Sequence, residues 1–152
     1  MDDLEAMGAA LAEAELAGAH GDVPVGAVVV VGGAIVAGRH NERERLGDPT
    51  AHAEVLALRD AAAAVGDGWR LEGATLVVTL EPCPMCSGAA LAGRVTRIVF
   101  GAPDLTGGAS GSLYNFGADP RLGHEIEVRG GVRAAESTAL LDAFFRELRE
   151  PR

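Results

Sequence analysis

Residues 76–92 read LVVTLEPCPMCSGAALA, and the character of the chain changes once within them. Leu76–Leu80 is an apolar run of strand length. Pro82 and Pro84 bracket Cys83, and Pro84 suits the first position of a helix that continues to about Ala92. A buried strand feeding directly into a helix is the repeating unit of α/β architectures. The sheet that holds such a strand is expected to be covered on both faces.

Upstream, Leu4, Met7 and Leu11 fall at i, i+3 and i+7, the stripe of an amphipathic helix that Gly21 can stop. Val25–Val31 and Ala34–Ala37 are joined by Gly32-Gly33, a two-residue hairpin signal. Asp48-Pro49 reads as the N-cap and first residue of an Ala-rich helix reaching about Val65. Downstream, Arg97–Phe100 is a strand, and the Gly-rich stretch Gly101–Gly117 is an ordered loop or a set of short turns. Glu125–Arg129 alternates like a strand with one polar face. Leu140, Leu141, Phe144, Phe145 and Leu148 make the apolar stripe of a C-terminal helix. The order α-β-β-α-β-α-β-loop-β-α predicts one α/β domain over residues 1–152. Its expected form is a three-layer α-β-α sandwich with a central mixed five-stranded sheet.

Of the 152 residues, 48% are apolar, which suffices for a single core and excludes global disorder. The longest apolar run, Val25–Val31, is too short to span a bilayer. The acidic start (Asp2, Asp3, Glu5) lacks the charged and apolar regions of a secretory leader. A soluble, cytoplasmic protein without a membrane partner is therefore expected. Net charge is −9. Asp2, Asp3, Glu5, Glu13, Glu15 and Asp22 all precede the first base, Arg39, and every base is arginine. This balance argues against a protein that coats nucleic acid, while leaving room for a local arginine-lined RNA site.

The only cysteines are Cys83 and Cys86. Without export signals, C-x-x-C reads as metal-binding or redox rather than as a structural disulfide. Three residues apart, the two thiols share one helix face. With Cys83 near the N-cap, the helix N-terminus favours their thiolates. A second string, His52-Ala53-Glu54, also lies near a helix start. Residues two apart on a helix diverge by about 200°, so His52 and Glu54 reach one centre only if it lies over the helix end. His52, Cys83 and Cys86 form a zinc ligand set that leaves the fourth tetrahedral position open, as a catalytic zinc requires. A bound hydroxide then serves as nucleophile, and Glu54, close by but not a ligand, suits a proton shuttle.

H-x-E followed by P-C-x-x-C is the signature of zinc deaminases. Val23–Ala27, Asp48–Glu54, Thr79–Ala89, Arg97–Ala102, the turn ending at Leu113 and Asp142–Arg146 extend the likeness. The chain resembles the bacterial tRNA adenosine deaminases within the zinc-dependent cytidine/deoxycytidylate deaminase superfamily, from about Leu4 to Leu148. The resemblance implies a cytidine deaminase-like fold, one zinc ion per chain and no organic cofactor. It implies hydrolytic conversion of adenosine to inosine at the wobble position of a tRNA anticodon loop, that of an arginine tRNA, with release of ammonia. It further implies that Asn41 hydrogen-bonds the target purine and that Val25 and Leu80 line the base pocket. Asp104 would touch the neighbouring nucleotide backbone, and Phe144 and Phe145 would close the RNA site. The anticodon stem-loop would be bound by a homodimer. One departure is the ending Glu150-Pro151-Arg152, where many members carry a Lys/Arg-rich tail.

Blander readings stand beside these. C-x-x-C alone serves redox chemistry as readily as metal binding, and a fourth ligand from His20, His40 or His124 would make the zinc structural. Asn41 and Asp104 are ordinary turn residues by type. Phe144 and Phe145 read as core, Trp69 and Tyr114 as packing residues, and Arg39, Arg43 and Arg45 as a solvated loop balanced by Glu42 and Glu44. The competing functions are a deaminase of a free base or nucleoside (guanine or cytosine type), a thiol redox protein, and a non-catalytic RNA-binding zinc module.

Overall fold

Alternation along the three central strands divides the core in two. We obtained a computed structural model, which describes residues 1–150; Pro151 and Arg152 lie outside the described residues. The strands are β1 (Gly26–Val31), β2 (Ala34–His40), β3 (Thr75–Leu80), β4 (Arg97–Ala102) and β5 (Glu127–Arg129). Their order in the sheet is β2-β1-β3-β4-β5. β1 runs antiparallel to β2 and β3, whereas β3, β4 and β5 are parallel. The sheet is thus mixed and five-stranded, as the sequence predicts.

Ala27, Val29, Leu76, Val78, Ile98 and Phe100 face one side. They pack against Ala53, Ala57, Leu58 and Ala61 of α3 (Ala53–Val65) and Ala90 of α4 (Pro84–Ala92). Val28, Val77 and Val99 face the other side, against Ala6, Met7, Ala10 and Leu11 of α1 (Asp3–Ala19). The period-2 pleat delivers alternate residues to two helical layers, giving the three-layer sandwich. α1 lies directly on β1: a Cβ on Gly26 would meet the carbonyl oxygen of Ala10 at 2.0 Å, so only glycine fits. Gly32 and Gly33 turn the hairpin with φ of 58° and 79°, as a primed turn demands.

Several elements depart from expectation. α3 begins at Ala53, not at Asp48-Pro49. The Asp48 carboxylate accepts from the Thr50 amide and hydroxyl, both at 2.8 Å, and so closes a local turn instead of capping a helix. The segment after β2 holds a further short helix, α2 (Arg43–Leu46). Its first amides are taken by Asp22, which accepts from Glu44 N at 2.7 Å and Arg45 N at 3.1 Å. β5 covers only the last three residues of the predicted strand. The C-terminal helix, α5 (Ala134–Arg149), has Ser137 as its only buried residue, so the reading of Phe144 and Phe145 as core is not met. Trp69 and Tyr114, read as packing residues, are both more than half exposed. No helix among the described residues is long and apolar enough to cross a membrane.

Candidate metal centre and cavity

Two helix N-termini converge at one end of the sheet. His52 is the N-cap of α3 and Cys83 the N-cap of α4, both with extended backbone. Neither side chain caps its own helix. Both turn toward each other instead, which places the positive ends of two helices around them. The late start of α3 helps. With His52 at the cap and Glu54 in the first turn, both lie over the helix end, the one place where they can share a centre.

His52 Nδ1 lies 3.6 Å from Cys83 Sγ and 3.4 Å from Cys86 Sγ. Zinc bound at about 2.3 Å to sulfur and 2.0–2.1 Å to nitrogen would span tetrahedral S···N edges of about 3.5 Å. The three donors therefore fit a zinc ion as they stand. Their protonation follows the same logic. Cys83 accepts a hydrogen bond from Cys86 and sits beside His52, which brings its pKa down to about 4. Cys86, the donor of that bond and more deeply buried, is raised. His52 is raised by its hydrogen bond with the Cys83 thiolate. His20, His40 and His124 stand apart from it: the first two belong to a separate cluster, and His124 bonds the carbonyl of Val95 at 2.9 Å.

Glu54 is 4% exposed, and that burial pushes its carboxyl above the ordinary range. It borders a cavity lined by Val23, Val25, Asn41, Arg43, His52, Ala53, Leu80, Glu81, Cys83 and Asp104. Four of the six expected substrate residues, Val25, Asn41, Leu80 and Asp104, thus open onto the same hollow as His52 and Cys83. Phe144 and Phe145 are not among its lining residues; they pack edge to face at 5.4 Å on α5. Asn41 donates from Nδ2 to the carbonyl of Val23 at 3.3 Å, and its Oδ1 accepts from Arg43 N at 3.2 Å. One amide proton and one lone pair remain for a ligand.

The sequence reading missed Glu81. It is 2% exposed and accepts from the amides of Asp104, Ser110 and Ser112 at 3.1, 3.1 and 3.0 Å, and from the Ser112 hydroxyl. One carboxylate therefore pins the Gly-rich loop that carries Asp104 beside the strand leading to Cys83. Burial raises its pKa, but the hydrogen bonds from Ser112, Asp104 and Ser110 together outweigh that and hold it below the usual range. The fit leaves no room for a side chain at Gly108, where a Cβ would lie 2.2 Å from this carboxylate.

Residues 1–102 match the family described as "Cytidine and deoxycytidylate deaminase zinc-binding region". The chain belongs to this deaminase family. It is 52% identical, over 93% of its length and 87% of the relative's, to the tRNA-specific adenosine deaminase of Bacillus subtilis (strain 168). A structure from a study of A-to-I editing by tRNA:A34 deaminases at the wobble position superposes with a TM-score of 0.86 at 42% identity. That match covers 90% of this chain and 99% of the other. The guanine deaminase from Nitrosomonas europaea shares the fold with a TM-score of 0.78 at 26% identity, over 93% of this chain and 83% of that one. As a member of this zinc-binding family the deaminase is an enzyme that hydrolyses a C–N bond, and the trio of donors is where its zinc fits.

Proposed function

We propose that the chain deaminates the wobble adenosine of a tRNA anticodon loop, that of an arginine tRNA, to inosine with release of ammonia. The observation that carries this reading is one cavity that joins His52, Cys83 and Glu54 to Val25, Asn41, Leu80 and Asp104. Near-full-length likeness to a tRNA-specific adenosine deaminase supports the choice of substrate.

One zinc ion per chain, held by His52, Cys83 and Cys86, would supply Lewis-acid activation of water at neutral pH. Glu54 takes one proton of the attacking water and passes it to the purine ring nitrogen, then takes the second from the hydroxyl added to the ring carbon and gives it to the leaving amine. Overall, adenosine and water become inosine and ammonia. Asn41 uses its remaining donor and acceptor to orient the purine. Val25 and Leu80 flank the base and keep solvent from it, and the loop pinned by Glu81 brings Asp104 to the flanking nucleotide. Phe144 and Phe145 meet the RNA outside the cavity. Residues 1–152 act as one domain, in the cytoplasm with the tRNA, and a homodimer holds the stem-loop.

The second reading, a deaminase of free guanine or cytosine, draws on the shared fold of the guanine deaminase but on a weaker likeness. The test compares an arginine tRNA stem-loop, free adenosine, guanine and cytidine at equal enzyme concentration. Inosine in the stem-loop, with slow turnover of the free compounds, is expected. Unpaired loop bases are splayed out at low cost, and contacts to flanking nucleotides supply binding energy that a free base lacks. Fast turnover of a free base with no inosine in the stem-loop would promote the second reading.

A further inference from the structure

On either side of Asn41 in sequence, His40 and Glu42 do not line the cavity; they belong to a second cluster with His20. His20 is the C-cap of α1 and His40 the last residue of β2. One donor atom from each of His20, His40 and Glu42 lies within 4.8 Å of the other two. The closest pair, His40 Nε2 and Glu42 Oε1, is 3.4 Å apart. The two imidazole rings are 5.2 Å apart between centroids.

The outer partners of this trio are already in place. His40 Nδ1 lies 2.7 Å from Glu13 Oε2 and donates to that carboxylate, which leaves Nε2 facing Glu42. A carboxylate behind a histidine in this way is the usual second layer of a metal site. Arg39 holds the other oxygen of Glu42 at 3.2 Å, leaving Oε1 free. His20 Nδ1 faces Asp22 Oδ2 at 3.1 Å. Even so, both ring nitrogens of His20 and Nε2 of His40 are buried without a hydrogen-bond partner. Three carboxylates (Glu13, Asp22, Glu42) thus surround two imidazoles, three of whose four nitrogens have no hydrogen-bond partner. A dication would satisfy the nitrogens and the charge together.

We infer that His20, His40 and Glu42 form a second divalent-metal site, separate from the thiolate centre, with Glu13 as the residue that orients His40. Two imidazoles and a carboxylate, without thiolate, select a borderline transition ion such as zinc, cobalt or nickel over magnesium or calcium. Such an ion would tie the end of α1 to the end of β2. It would thereby fix the backbone on which Asn41 stands, next to the Asp22 cap of α2. The site depends on neither the substrate nor the reaction proposed above.

The test begins with wild-type holoenzyme whose thiolate centre is filled with zinc, titrated with cobalt(II) and followed by absorption and by metal count. One further equivalent is expected, with visible d–d bands and no thiolate-to-metal charge transfer. His20→Asn and Glu42→Gln should each lose that equivalent and keep the thiolate-held zinc. Glu13→Gln should weaken it by roughly 10–100-fold, the range typical of second-layer partners. If zinc-filled wild type takes up no second equivalent at millimolar cobalt, the cluster is a polar junction between α1 and β2 only, and the inference fails. Uptake that survives unchanged in both His20→Asn and Glu42→Gln would place the ion elsewhere and overturn it equally.

Discussion

The metal end and the C-terminal helix answer opposite questions about the same chain. At the metal end, α3 and α4 are short on amphipathic pattern, yet Ala53 and Cys86 are fully buried and Glu54 nearly so. α5 carries the clearest apolar stripe in the sequence, yet Phe145 and Leu148 are 41% and 65% exposed. Apolar periodicity therefore locates a helix but does not say what covers it. Chemistry at a helix start says more, because ligands and a buried carboxylate have few alternative uses. Substitutions at the two ends should differ accordingly: loss of function through the metal and the proton at one, loss of RNA affinity with little loss of stability at the other.

Cys86→Ser should have the largest effect. Serine is a poor zinc ligand, and the thiolate joins the starts of two helices, so zinc, turnover and thermal stability should fall together. Metal analysis alongside a melting curve checks this, and a variant with full zinc and full turnover would break the assignment. Glu54→Ala should come next. Zinc, fold and stem-loop binding should persist while turnover drops by at least roughly 10²–10⁴, the range for a general acid–base group. Release of zinc by this variant would make Glu54 a ligand and end its role as proton carrier.

What was legible follows the same divide. The hairpin, the succession of five strands along the chain and the bounds of α4 at Pro84–Ala92 could be read because each rests on local rules of turn, pleat and cap. The start of α3 could not, since Asp48 has two local uses and Thr50 captured its carboxylate. α2 was hidden because its cap, Asp22, lies 22 and 23 residues away from the amides it accepts. Glu81 was hidden for the same reason: its partners come from a loop 23 to 31 residues further on. Local signals survive translation into structure, whereas long-range hydrogen bonds from a single acid leave no periodic trace.

Glu81→Gln probes one of those hidden bonds. The amide would set an N–H against backbone N–H donors, at a cost of about 1–3 kcal/mol for an unpaired buried group. Zinc should stay, because no ligand is touched, while the apparent KM for the stem-loop rises as the Asp104 loop loosens. The pH dependence has a definite sign. The folded carboxyl titrates below its unfolded value, so its contribution is present above the unfolded pKa of about 4.5 and disappears as pH falls through the folded one. The stability deficit of Glu81→Gln should therefore be full at neutral pH and shrink as the pH falls through the folded pKa of Glu81. A deficit that is constant with pH would show that shape, not charge, matters at this position.

Phe145→Ala should have the smallest effect on the fold and is the sharpest test of the contrast between the two ends. The ring packs edge to face on Phe144 and is 41% exposed, so truncation leaves little cavity. Its cost should fall well short of the about 3–5 kcal/mol of a core Phe→Ala change. Turnover at saturating stem-loop should be nearly unchanged, since the side chain does not line the cavity of Glu54. If the ring stacks on an RNA base, binding should weaken by about 1–3 kcal/mol, which raises KM by roughly 5- to 150-fold with kcat preserved. Stem-loop titration and a melting curve on the same sample separate the outcomes. A large fall in Tm with unchanged KM would mean that α5 is ordinary core after all, covered by something other than RNA. Unchanged values of both would remove Phe145 from the RNA site and leave Phe144 as the aromatic residue to test.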